Sequence, residues 1–397
     1  MRVLMISSPV PTHFTPMIPL AWALRAAGHE VTVLSQPDVM GAAGTAGLVG
    51  VSYGGRFDHV ESTLRSLAPG QRPLAAWGRV TPESLTSMSP TWVAQTEEVL
   101  PQYLTFTRAY APHLIVADPM EAKGVIVGGL LDIPVVLHRW GVDPVSAAVR
   151  VAAWRSLEHL LRPMGLEDLP EPAVIVDPCP PSLQLPGAAP GLPIRAMPFN
   201  GSGAVPTEFV TGTAASAPGR RVAVCLGTST LALHGVPLMR AILRSFAGLA
   251  GVEAVATVDS AFREAIGRVP ANVRLVDPVP LQLLLATCSA IVHHGGAGTT
   301  MTAIAAGRPQ LVLPQMADQF AHGDRVVDAG AGICLDDAAA QEDASEVRAA
   351  LSRLSSEAAH RSAAHRLRQE ADGMPVPQRV VSTLEGVARQ AVPARRA

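Results

Sequence analysis

Two Rossmann-like α/β halves facing each other across a cleft is the fold this sequence predicts, on three observations. Short, nearly uninterrupted apolar runs recur along the chain, each followed by a segment of helical spacing. That is the pattern of parallel strands buried on both faces by helices. The pattern breaks at a Gly-, Pro-, Ala- and Ser-rich stretch, roughly 185–219, and then resumes. At 397 residues the chain is long enough for two cores.

In the first half, "RVLMIS" reads as a buried strand. "FTPMIPLAWALRAAGH" reads as a helix stopped at Gly28, and "EVTVLS" as the second strand. Apolar runs return at "HLIVAD" (113–118) and "IPVVLH" (133–138). Residues 55–110 carry weak strand signal and many Pro and Ser, so they read as a long inserted loop, a common place for substrate contacts. The second half repeats the plan. "RRVAVCLGT" is a strand and glycine turn, "PLMRAILRSFAGLAG" a helix, and "VEAVATV", "NVRLVD", "SAIVHH" and "PQLVLP" are strands. The expected division is 1–197, a linker over 198–219, 220–372, and a C-terminal helix in 373–397 whose place in the fold the sequence leaves open.

Composition narrows the function. A hydrophobic fraction of 48% with 16% charge argues against disorder. A net charge of −2 offers no basic face for nucleic acid. Cys179, Cys225, Cys288 and Cys334 are scattered without a C-x-x-C, so no zinc knuckle or disulfide framework is expected, and a reducing, cytoplasmic setting is the simplest reading. "MRVLMISS" is too short for a signal-peptide core, and no apolar stretch of roughly 18 residues predicts a membrane span. Every Trp and Tyr lies in the first half. Trp22 is expected in the core. Trp77 and Trp92, in the inserted region, suggest an apolar or aromatic substrate.

Ligands of open α/β sheets bind beyond the carboxyl ends of the strands. After "SAIVH" comes His294-Gly295-Gly296-Ala297-Gly298-Thr299-Thr300, with Thr299 or Thr300 placed to cap the helix that follows. Glycines let the backbone approach an anion, and free helix N–H groups make a phosphate site. Read alone, a tight turn without ligand competes with this. No G-x-x-x-x-G-K-[ST] is present, which excludes an ATPase loop, and no G-x-G-x-x-G follows the first strand, which weakens a dinucleotide reading. Asp318 and Gln319 open the helix after "QLVL", as hydroxyl ligands or as simple caps. His13 opens the helix after the first strand, where a helix N-terminus favours neutral imidazole. Asp118 ends "LIVA" at the same sheet edge, so a carboxylate on the second ring nitrogen is the expected pairing. His138, Arg139 and Asp143 are secondary candidates for the same cleft. His293 reads as a structural strand residue.

"VHHGGAGTT", "AGRPQLVLPQMADQ" and "VVDAGAG" resemble the C-terminal signature of the family 1, GT-B nucleotide-sugar glycosyltransferases. The N-terminal "MRVLMIS…PTHFTPMIPLAWALRAAGHEV" is similar to bacterial members that glycosylate antibiotics, and "DPCPPSLQLP" to enzymes acting on aromatic polyketides. The resemblance implies inverting, metal-independent transfer, in keeping with the lack of a D-x-D near the turn. His13 falls on the catalytic base and Asp118 on its partner. His294, Gly296, Gly298 and Thr299 fall on the diphosphate positions, Asp318 and Gln319 on the sugar positions. Gly227, Thr228 and Ser229 fall on the loop approaching the donor phosphates, and Pro278 and Val279 on the base-binding segment. That segment lacks the tryptophan of the plant enzymes, which favours a TDP-deoxysugar as co-substrate over UDP, with no separate cofactor. The expected partners are this donor and a hydrophobic aglycone; a homodimer and an activator protein stay open. The sequence does not decide between oxygen and carbon attack. A nucleotide-sugar 2-epimerase of similar fold and a non-catalytic sugar-nucleotide-binding auxiliary subunit are the alternatives.

Overall fold

A computed structural model of the chain describes residues 1–79, 90–202, 205–211 and 220–391. The first sheet contains β1 (Arg2–Ile6), β2 (Glu30–Ser35), β3 (Val49–Ser52), β4 (Leu114–Ala117), β5 (Val135–His138), β6 (Val174–Asp177) and β7 (Leu192–Pro193). Their order is β3-β2-β1-β4-β5-β6-β7, all parallel. The second contains β8 (Arg220–Cys225), β9 (Val252–Thr257), β10 (Val273–Val276), β11 (Ala290–His293), β12 (Gln310–Val312) and β13 (Gly332–Cys334), in order β10-β9-β8-β11-β12-β13, also parallel.

Alternation along β1 shows why its run is wholly apolar. Val3 and Met5 face a core with Leu20, Leu24 and Val33, while Leu4 and Ile6 face another with Leu104, Ile126 and Leu157. A strand covered on both faces has no polar positions to spare. Strand order reverses direction at β1/β4 and again at β8/β11, and the crevice at such a switch point is where these sheets bind ligands. Register then fixes which residues meet there. Ile6 pairs with Ala117, so the loop carrying His13 leaves the sheet beside Asp118. Cys225 pairs with His293, so Gly227 leaves beside His294.

Several expectations are corrected. The 55–110 region is largely helical, with His59–Leu64, Pro73–Trp77 and the 21-residue Pro90–Tyr110. Its prolines mislead because Pro73 and Pro90 sit at helix starts, where a missing N–H costs nothing. Val99, Leu100, Tyr103 and Leu104 bury one side of the long helix. Residues 80–89 of this region lie outside the described residues. Trp22 is not core: it is 40% exposed, donates its indole N–H to the Ala46 carbonyl at 2.9 Å, and meets Phe199 edge-on. The C-terminal helix Pro377–Ala391 crosses back to the first half. Its Val380, Val381 and Leu384 join the β1 core against the helix Ile18–Ala26. No helix among the described residues is long and apolar enough to cross a membrane.

Candidate active site

His13 lies in the short helix Pro11–Phe14, fixed by Pro11 in its first turn. It stands in the first turn of a helical run that continues through Thr15–Met17 into Ile18–Ala26, as the sequence reading expects. Burial lowers the His13 pKa to about 3, and the nearby His59 adds to the effect. The cover is Trp140, whose ring stacks on the imidazole at 3.9 Å between centroids and 29° between planes.

Asp118 does not touch the second ring nitrogen. Ser8 Oγ occupies His13 Nδ1 at 2.7 Å. Asp118 Oδ2 instead accepts the Ser8 backbone N–H at 2.7 Å and the Ser7 hydroxyl at 3.2 Å, while Oδ1 accepts the Met120 N–H at 2.9 Å. The carboxylate therefore braces the loop that orients the imidazole. Burial, then the neighbouring Glu121, push its pKa up to about 7 against the pull of those donors.

Across the cleft, β11 ends in the glycine turn. His293 is fully buried, accepts the Gly295 N–H on Nδ1 at 3.0 Å, and meets Gln310 Oε1 at 2.9 Å through Nε2. It locks the turn, as a structural residue. Gly295 has φ +86°, and a Cβ there would stand 2.8 Å from the Gln319 carbonyl, so only glycine fits. The N-cap of the helix Ala297–Ala305 is Gly296, and no side chain caps it. Thr299 and Thr300 are inside the helix rather than capping it; the Thr300 hydroxyl donates back to the Gly296 carbonyl at 3.1 Å. The N-terminal N–H groups are thus left without a side-chain acceptor, which suits an anion.

The His294 ring lies between two glycines. Cβ atoms at Gly227 and Gly296 would approach it to 3.2 and 2.5 Å. Its Nδ1 is buried without a hydrogen-bond partner among the described residues. Burial lowers its pKa to about 4, although the Cys225 backbone favours the charged ring. Gly227 (φ +67°) opens the helix Gly227–Thr230, which brings Thr228 and Ser229 to the same edge. Gly298, in the first turn of the helix Ala297–Ala305, lines the cleft. Pro278 is exposed at the end of β10, and Val279 packs on the cluster that holds Leu281 and Phe209.

Asp318 is the N-cap residue of Gln319–Asp328 but makes no capping bond, so its carboxylate is not spent on the helix. Its Oδ2 is 3.6 Å from His322 Nδ1, and burial raises its pKa while His322 pulls it down. Gln319 Oε1 accepts the Gln315 and Met316 N–H groups at 2.8 and 3.2 Å. Arg139 is spent on buried ion pairs, whereas Asp143 also acts electrostatically on Asp318 and His322. Arg139 is 2% exposed and bridges Asp143 at 2.6 Å and Asp177 at 2.7 Å, which fixes the loop carrying Trp140. His138 is buried beneath, bonded to the Arg139 carbonyl.

Between the two sides runs a cleft of about 400 Å³, with Thr15 and Trp140 on one wall, Gly298, Met301 and Thr302 on the other, and Phe199 across its end. Sequence reasoning missed Ser8 and Trp140 as site residues. Ser8 had a signal, standing directly after the first strand. Trp140 had the same signal, two residues beyond the end of β5. Among the described residues no group of three His, Cys, Asp or Glu side chains is placed to hold a metal ion.

Residues 22–227 match the N-terminal domain, and 240–387 the C-terminal domain, of the family described as erythromycin biosynthesis protein CIII-like. The chain is 34% identical over 396 residues to L-demethylnoviosyl transferase of Streptomyces niveus, covering 99% of this chain and all of that one. The chain belongs to the erythromycin CIII-like glycosyltransferases. A further relative of this family, 10-deoxymethynolide desosaminyltransferase of Streptomyces venezuelae, is 33% identical over 98% of each chain. The structure of the spinosyn rhamnosyltransferase SpnG complexed with thymidine diphosphate superimposes with a TM-score of 0.82 at 40% identity, covering 97% of this chain and 100% of that one. SpnG has also been solved with spinosyn aglycone. The erythromycin CIII-like fold seen here is accordingly GT-B, and the activity is that of a glycosyltransferase.

Proposed function

We propose that this glycosyltransferase moves a deoxysugar from its TDP donor, with inversion, to a hydrophobic polyketide aglycone of aromatic type. The observation carrying the reading is the opposition of two built half-sites. On one side Trp140 stacks on a neutral, half-buried histidine oriented by Ser8; on the other Gly298 belongs to an uncapped helix N-terminus beside His294, and Trp140 and Gly298 line one cleft. A relative solved with TDP, and relatives named for TDP-daunosamine and desosamine transfer, support the donor. The aromatic lining of Trp140 and Phe199 supports the acceptor.

In this mechanism His13 carries its ring proton on Nδ1, donated to Ser8 Oγ, which frees Nε2 as the base. Nε2 takes the acceptor hydroxyl proton as the oxygen bonds to the anomeric carbon. The bond from that carbon to the diphosphate oxygen breaks, and TDP leaves with the electron pair. A positioned base contributes typically ~10²–10⁴-fold. The growing charge on the leaving diphosphate is met by His294 and the N–H groups of Ala297, Gly298 and Thr299. Asp318 and Gln319 hold sugar hydroxyls, and Pro278 and Val279 lie against the base. Asp118 acts through the Ser8 backbone.

The test is a mass-spectrometric screen of a TDP-deoxysugar panel against aromatic and macrolactone aglycones. The expected result is a product of acceptor plus sugar with release of TDP, for aromatic aglycones. Turnover of donor without acceptor would replace the reading with an epimerase. TDP binding without any product would replace it with an auxiliary subunit.

A further inference from the structure

The inserted segment of the first half reaches across the cleft. Its helix His59–Leu64 touches Leu231–Gly235, and Arg79 pairs with Asp324 and with Asp336 at 2.7 Å. Arg72, just before the helix Pro73–Trp77, goes deepest, and is only 3% exposed. Its Nε and Nη2 donate to Glu342 Oε1 at 3.0 and 2.7 Å, and Nη2 also to the Ala338 carbonyl at 3.2 Å. Its Nη1 donates to Gln315 Oε1 at 2.6 Å and Gln341 Oε1 at 3.0 Å. The guanidinium has no N–H to spare.

The acceptors matter more than the number of bonds. Gln315 and Gln341 are buried, and Gln315 Nε2 bonds Gln341 Oε1 at 2.7 Å. Both amides hold the Pro314 carbonyl, at 3.0 Å each. The backbone N–H of Gln315 is in turn held by Gln319 Oε1 at 2.8 Å. A chain of hydrogen bonds thus runs from a first-half arginine, through the 314–316 turn, to the residue beside Asp318. Without Arg72, two buried amide oxygens lose their charged donor, a loss that a rigid turn cannot absorb.

We propose that Arg72 is a positioning residue for the sugar half of the donor site, so that docking of the first half's inserted segment completes the pocket for the sugar. This rests on the reading of Asp318 and Gln319 as sugar ligands. The diphosphate turn lies on a different strand, β11, and its bonds do not pass through Arg72. Losing Arg72 therefore weakens the grip on the sugar and leaves the grip on TDP.

The experiment compares calorimetric affinities for TDP and for TDP-rhamnose in the wild type, Arg72→Ala, Arg72→Lys and Asp318→Asn. The expected result is a TDP affinity within ~3-fold of wild type and a TDP-rhamnose affinity at least ~10-fold weaker in Arg72→Ala. Arg72→Lys falls between, because a lysine cannot reproduce the fork. Hydrogen exchange of the backbone at 313–320 should quicken in both Arg72 variants without any ligand present. An unchanged ratio of the two affinities, an equal loss of both, or unaltered exchange at 313–320 would overturn the proposal. If Asp318→Asn shifts the ratio and Arg72→Ala does not, the positioning role alone fails. If Asp318→Asn also leaves it, the sugar-site reading fails beneath it.

Discussion

At the scale of single residues, the chemistry depends on keeping one imidazole dry. His13 is neutral because it is buried under Trp140, with its pKa lowered to about 3. A base of this kind works in its neutral form, so activity is lost as pH falls through its pKa. With the wild-type value so low, His13 imposes no acid limb across the range where enzymes are ordinarily assayed. Trp140→Ala admits water and lets the pKa climb back toward 6.5. The variant should then lose kcat/KM progressively between pH 7 and pH 5, while the wild type holds steady over that range. Parallel profiles for the two would remove Trp140 from this role.

At the scale of elements, the site is a property of strand ends. The glycine turn after β11 fits the His294 ring between Gly227 and Gly296, and the cap at Gly296 has an ordinary φ of −59°. Gly296→Ala therefore adds no backbone strain, yet puts a methyl 2.5 Å from His294 Nε2 and moves the ring. Calorimetry should show TDP affinity reduced at least ~10-fold, since a charge-assisted hydrogen bond is lost, with little change in thermal midpoint. Unaltered TDP affinity would contradict the placement of His294 on the diphosphate. The turn was legible because its glycines and the buried strand before it are local signals. So were β1, β2, β4, β5, β8 and β9, whose apolar runs are bounded by turn residues. β3 and β13 were not, because β3 is a four-residue edge strand with no buried position and β13 a three-residue strand with one, too little pattern to read. Pro90–Tyr110 was hidden by Pro90 and Pro101, and Arg72 by the distance between its position and its partners. The Ser8 bond to His13 was hidden for another reason: Asp118 was the stronger candidate by charge, and only the loop's path decides which group reaches the ring.

At the scale of the whole molecule, the two sheets bury several histidines in neutral form. His13 and His293 are lowered to about 3, His138 and His294 to about 4, from an ordinary 6.5, each chiefly by burial. The unfolded chain binds these protons near 6.5 and the fold resists them, so stability is present above that pH and lost as pH falls toward 4. Asp118 works in the opposite sense. Raised to about 7 from 3.8, it gives stability below 3.8 that is lost as pH rises through 7. Asp318, also raised by burial, adds to this, but the four histidines outweigh the two carboxyls, so the denaturant midpoint should fall from pH 6.5 to pH 4.5; a flat midpoint would show that these rings are not held neutral. The fold places Trp140, which stacks on His13, and Gly298, from the helix that follows the His294 turn, on the lining of one cleft, and the proposed mechanism stands on that opposition. Its most direct test is transfer from a TDP-deoxysugar by His13→Ala at matched, saturating donor. The account predicts turnover lowered at least ~100-fold with TDP affinity retained; undiminished turnover would contradict it.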